Sequence, residues 1–211
     1  MTTDTAPNRP PGRPASFRRE DVIALARDLF RARGYADVSL SEIAQKSGLT
    51  RASVYNAFNS KEAIFLEALD AYRATTPLSA LADLAPDAPV GPALDALFRD
   101  AGATMARDPD RRGCLLMNSF AELLASDAPP AETIRADFAA SRAMLATLVA
   151  RARDDGELPS ATDPDTTATL IMMMLAGLNT LSKSGATEEE MGRAARLLLT
   201  RIGFAPPPPD A

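Results

Sequence analysis

Within nine residues, Arg51, Ser53, Tyr55, Asn56 and Asn59 present a guanidinium, two hydroxyls and two amides. Guanidinium and amide groups pair with base edges in a major groove, and hydroxyls donate to phosphate oxygens. A second chemical feature is Cys114, in the run Gly113-Cys114-Leu115-Leu116 beside Arg111 and Arg112. A thiol that opens a helix next to positive charge is placed for thiolate chemistry, against the plainer reading of a buried, inert cysteine. Other chemistry is excluded at once. The chain has no histidine and one cysteine, which removes a Ser-His-Asp triad, a histidine-ligated zinc site and a disulfide framework. No Gly-rich phosphate loop, nucleophile elbow or metal-ligand cluster is present, so the chain reads as a non-enzyme without cofactor or metal. Asp154, Asp155 and Glu157 surround Gly156 and read as solvated loop carboxylates.

Those donors need a scaffold, and the composition supplies one. Of 211 residues, 46% are hydrophobic and 24% charged, the balance of a globular chain of one or two domains. The formal net charge is -5, which alone argues against a nucleic-acid partner. Charge is unevenly spread, however. Residues 1–61 hold ten Lys/Arg against six Asp/Glu, and residues 62–211 hold thirteen against twenty-two. A basic head on an acidic body suggests a local surface that faces phosphate. No apolar run reaches the roughly 20 residues a membrane span requires, and the start lacks the apolar core of a secretory signal.

The pattern is helical throughout, and proline marks the breaks. Pro7, Pro10, Pro11 and Pro14 define an extended arm over 1–15, and Pro206 to Pro209 a tail over 205–211. Pro77, Pro86, Pro89 and Pro92 read as a loop between two helical blocks. Val22, Leu25, Ala26, Leu29 and Phe30 form one stripe of a first helix that Gly34 ends. Ser39 caps a short second helix, with Glu42 completing a capping box; Thr50 and Ser60 cap a third and a fourth. Longer helices follow near Val90–Arg107, Cys114–Ala125, Pro130–Asp155, Pro164–Ser184 and Thr187–Gly203. Ala44, small where two helices cross, and Gly48, in the turn four residues later, make 40–59 a helix-turn-helix. Ile43, Leu49, Val54 and Phe58 supply its core. Gly12-Arg13-Pro14 in the arm looks like the core of a minor-groove hook.

The run Gly34-Tyr35, Ser39-Leu40, Ile43-Ala44, Gly48-Leu49-Thr50, Ser53-Val54-Tyr55, Phe58 and Ser60-Lys61-Glu62 resembles the signature of TetR-type (TetR/AcrR) transcriptional regulators. The match covers about residues 17–72. It implies an all-α fold: a three-helix DNA-binding head over 16–62 and a helical-bundle ligand and dimerisation body over 63–204. It further implies DNA contacts by Ser39, Thr50, Arg51, Ser53, Tyr55, Asn56 and Lys61, with Arg13 from the arm. Tyr55 and Lys61 match the family's phosphate-contacting tyrosine and lysine, whereas Asn56 and Ala57 stand where relatives often carry aromatic residues or histidine. The partners implied are a double-stranded, pseudo-palindromic operator and a second copy of the chain, joined through the last two helices. Leu170 to Leu175, Leu178, Leu181, Leu197, Leu198, Leu199 and Ile202 fit such an interface better than a single core needs. Met172, Met173 and Met174 cannot converge on a metal, because consecutive helical residues point about 100° apart.

The function this resemblance implies is a dimeric repressor released by a small-molecule inducer. It would be cytoplasmic, in a bacterium, and associated with the nucleoid while bound to DNA. Met105, Cys114, Met117, Phe120, Phe138, Met144 and Met174 are the candidate pocket residues, and their apolar character suggests an apolar inducer. Three other readings stay open: a repressor that senses oxidants or electrophiles through Cys114, an activator or architectural factor of the same fold, and a helical protein-interaction module.

Overall fold

The computed structural model describes residues 18–205, so Arg13 and both proline-rich ends lie outside the described residues. Ten helices and no strand are found among them. Helices α1 (Arg19–Arg33), α2 (Leu40–Lys46) and α3 (Arg51–Phe58) pack around one knot of side chains. Val22, Ala26 and Phe30 of α1, Ile43 and Ala44 of α2, and Val54 and Phe58 of α3 are all buried. Phe30, Tyr35 and Phe65 add an aromatic cluster, with Phe65 edge-on to Phe30 at 5.1 Å and to Tyr35 at 5.0 Å between centroids. Helix α4 (Lys61–Arg73) carries Phe65 and runs from this knot into the rest of the molecule.

Local chemistry sets most helix starts. Ser39, Thr50, Ser60, Asp163 and Thr187 each accept a hydrogen bond from the backbone N–H three residues on. At Ser39 the expected capping box is only half made, because the Glu42 carboxylate turns away to Arg33 at 2.7 and 2.8 Å. An ion pair to a nearby guanidinium outcompetes a neutral backbone donor. The full box forms instead at α10 (Glu188–Ile202), between Thr187 and Glu190. Gly48 takes φ +69° in the turn between α2 and α3, and a Cβ there would meet nothing within 4 Å. Backbone conformation alone therefore demands glycine at this position.

The proline cluster is not simply a loop. Pro77 opens a short helix α5 (Pro77–Ala82), where its missing N–H is no loss and its fixed φ fits the first turn. Five longer elements follow: α6 (Val90–Ala106), α7 (Leu115–Leu123), α8 (Ala131–Asp154), α9 (Pro164–Ser184) and α10. Glu157 is not the solvated loop carboxylate its neighbours suggest. It accepts from the N–H groups of Val90 (2.7 Å) and Gly91 (2.8 Å), and so caps α6 from 67 residues away. No helix is long and apolar enough to cross a membrane among the described residues.

Candidate nucleic-acid interface

Helix α3 separates its residues by face. Val54 and Phe58 point into the core, while Arg51, Tyr55, Asn56 and Asn59 are exposed. Tyr55 is 57% exposed, so its ring is not part of the core between α1 and α3. Thr50 and Ser39 are exposed helix caps, and Ser53 is half-buried with its hydroxyl 2.8 Å from that of Thr50. The exposed side of α3 thus carries a guanidinium, a phenol and an amide, with a second amide at Asn59 just past its end.

The angle of that face is fixed by Arg19. Its guanidinium donates to the Ala57 carbonyl at 2.6 Å, pairs with Glu67 of α4, and lies 4.1 Å from the centroid of the Phe58 ring. One side chain thereby ties the ends of α1 and α3 to α4. Lys61 sits differently from a free phosphate ligand. Its ammonium donates to the carbonyls of Tyr35 (2.7 Å) and Ala36 (3.3 Å) and rests 4.1 Å over the Tyr35 ring. Burial pulls its pKa down, opposed by the charges of Glu122 and Asp37. Three N–H donors against two carbonyls leave one for another acceptor.

Several polar contacts join this head to the helices beneath it, and no local pattern in the sequence announces them. Glu122 of α7 accepts from the N–H groups of Tyr35 (2.7 Å) and Ala36 (2.8 Å), gripping the turn between α1 and α2. Arg31 of α1 pairs with the buried Asp108 at 3.1 Å and donates to the Gly113 carbonyl. Asp108 also accepts from Arg112 at 2.9 Å. Hydrogen bonding to Arg112 holds its carboxyl below the ordinary range; burial opposes this, and Arg31 assists. From there Asn118 donates to the Arg31 carbonyl (3.0 Å) and accepts from Asn179 of α9 (3.0 Å).

The candidate pocket residues divide. Met105, Cys114 and Met117 line a half-open cavity of about 50 Å³, together with Tyr72, Leu97, Leu116 and Leu175. Met144 lines an adjoining groove of about 340 Å³ that also holds Arg73, Asp137 and Ser141. Phe120, Phe138 and Met174 line neither. Phe120 and Phe138 instead stack edge-on at 5.1 Å, and Met174 packs against the core. An apolar side chain on an amphipathic helix is spent first on packing, so composition alone could not separate lining from core. Beside Cys114, burial pushes the Tyr72 hydroxyl well above its ordinary pKa, and the neighbouring thiol adds to the shift.

Comparison with known proteins gives consistent matches. Residues 22–68 match the family described as bacterial regulatory proteins, tetR family, and residues 91–198 match the tetracyclin repressor-like, C-terminal domain. The HTH-type transcriptional repressor BdcR of Escherichia coli strain K12 is 31% identical over 113 residues, 54% of this chain and 57% of that protein. That match therefore spans little more than half of the relative's length. The HTH-type transcriptional repressor ComR of the same organism is 24% identical over 185 residues, 87% of this chain and 88% of that protein. Among solved structures, a cysteine mutant of the TetR family regulator CifR, complexed with 26-bp operator DNA, superposes with TM-score 0.73 at 27% identity. That similarity covers 90% of this chain and 100% of the other.

Proposed function

The chain belongs to the TetR family of bacterial regulatory proteins, and we propose that it is a dimeric transcriptional repressor whose operator is read by α3 and released by a small molecule. The observation that carries the DNA reading is the exposed face of α3, with Arg51, Tyr55 and Asn56 outward and Arg19 fixing its angle. Arg51 reaches a base edge or phosphate. Tyr55 lays its ring against the backbone and donates to phosphate, and Lys61 adds its third N–H there. Ser39, Thr50 and Ser53 stand at the starts of α2 and α3, where outward N–H groups and the helix dipole favour an anion. Repression, not activation, follows the relatives BdcR and ComR, both of which are repressors.

Dimerisation is supported by an apolar stripe with no cover in one copy. Leu170 (38% exposed), Met173 (64%) and Leu181 (46%) follow one side of α9, and Leu197 (60%) stands on α10. Their neighbours Ile171, Met172, Leu175 and Leu178 face inward. Two such stripes pressed together would set two copies of α3 about one DNA turn apart, roughly 34–36 Å, as a pseudo-palindrome requires.

Fluorescence anisotropy against the DNA flanking the protein's own gene, across a salt series, tests this reading. Sequence-dependent binding that weakens steeply with salt is the expected result. Binding indifferent to sequence, both there and in a selection from random DNA, would overturn it.

A further inference from the structure

If the chain is a repressor released by a small molecule, the chemistry of that molecule must be written in the voids of the body, and the inference rests on that premise. Helix α5 sits over the junction of two such voids. The inner cavity and the outer groove share Thr76, Leu78 and Leu116 as a common wall. On the far side of the groove, α8 presents Asp137, Ala140, Ser141 and Met144. Their offsets of three, four and seven residues make them one helix face. The inner cavity is apolar, and its methionines, Met105 and Met117, are the side chains best able to adapt to an added chain.

The groove is lined by one guanidinium, Arg73, and one carboxylate, Asp137. Arg73 also reaches Asp70 at 3.4 Å, an exposed carboxylate just outside the groove lining, so two carboxylates share one guanidinium. Only Oδ2 of Asp137 meets Arg73, and among the described residues Oδ1 and the Ser141 hydroxyl have no protein partner. Burial raises the Asp137 pKa in spite of Arg73, and Asp70 adds to the rise. No further charge reaches the groove from α5, which offers Leu78, Ser79 and Ala82, or from α7, which offers Leu116. An incoming anion would be a third negative charge around one guanidinium. An incoming cation would balance the second carboxylate.

We propose that groove and cavity together bind one lipophilic amine. Its ammonium donates to Asp137 Oδ1 and Ser141 Oγ, and its hydrocarbon passes between Leu78 and Leu116 toward Met105.

Three probes with one alkyl chain separate the possibilities: n-octylamine, n-octanol and octanoate, titrated calorimetrically into the full-length protein. The amine is expected to bind at least tenfold tighter than the alcohol, and octanoate weakest. In Asp137→Asn the amine loses its advantage while octanol binds as before. Lowering the pH into the carboxylate range weakens amine binding and leaves octanol unchanged, because burial makes Asp137 take up its proton sooner than an ordinary aspartate. Ser141→Lys, which tethers an ammonium beside Asp137 without removing the carboxylate, must also abolish the amine's advantage. Octanoate binding tightest, or an advantage that survives in both variants, would overturn the proposal. Operator release is read in parallel. Amine binding without release would remove the effector role and leave the site standing. Release by another compound, with no amine binding, would remove the site and leave the repressor standing.

Discussion

At the scale of single residues, the two faces of α3 divide core packing from exposed polar groups, and on the proposed function they divide stability from recognition. Arg51 is exposed and lies outside the buried core. Arg51→Ala is therefore expected to leave the unfolding midpoint unchanged and to weaken operator binding by about 1–3 kcal/mol, with a salt slope lower by about one. Anisotropy titrations at four salt concentrations would check both numbers. Gly48 is the opposite case. Its φ of +69° suits glycine, and no neighbour crowds it. Gly48→Ala is expected to cost about 1–2 kcal/mol in urea unfolding, all of it from the left-handed backbone. Both residues are legible in the sequence because their roles depend on near neighbours. Tyr55 is legible for the same reason, since its face follows from the buried spacing of Val54 and Phe58. Lys61 is only partly legible. Its register points to phosphate, but nothing local shows that the Tyr35 and Ala36 carbonyls hold its ammonium.

Among the elements, helix starts can be read and helix neighbours cannot. A cap needs a side chain and an N–H three residues apart, so Thr50, Ser60, Asp163 and Thr187 announce themselves. Glu122 and Glu157 do the same work across 87 and 67 residues, and no spacing rule reaches that far. Helix α5 escapes a reading by pattern for another reason. Pro77 reads as a break unless it is recognised as the first residue of a helix. Glu122 carries the prediction at this scale. Glu122→Gln keeps one acceptor but turns an amide NH₂ toward a backbone N–H. The expected loss is about 1–3 kcal/mol of stability, because a charge-assisted hydrogen bond is replaced by a contact between two donors. Amide exchange at Tyr35 and Ala36 should accelerate more than exchange at Ile64 or Phe65, whose N–H groups bond along α4 and not to Glu122. Equal acceleration at all four would mean that the grip is not local.

For the whole molecule, the test is pH. Asp108 lies buried between Arg31 and Arg112, which joins α1 to the segment between α6 and α7. Its folded pKa is depressed, chiefly by hydrogen bonding to Arg112, so its contribution to stability is fully present above the ordinary carboxylate pKa. That contribution is lost as the pH falls below about 4, through the folded pKa. Urea midpoints of the native chain and of Asp108→Asn should therefore differ most at pH 6 and converge toward pH 3. Asp137 carries the opposite sign, since its raised pKa makes the folded state prefer the protonated form. The division into a basic end and an acidic end is visible in the charge count. The small size of the inner cavity is not, because volume is a property of packed neighbours and no single residue carries it.

The grip of Glu122 on Tyr35 and Ala36 also bears on how interchangeable the two ends of this chain are. A hybrid sensor that grafts residues 18–60 onto an unrelated effector domain would carry the exposed face of α3 intact. It would leave behind the carboxylate that fixes the turn before α2, along with Asp108, the partner of Arg31. Under the proposed function, such a graft is expected to keep its sequence preference but to lose both contacts to the body, unless the host supplies an acid at both positions. Choosing hosts by those two acids, and not by overall identity, is the design rule this architecture sets for swapping its outputs.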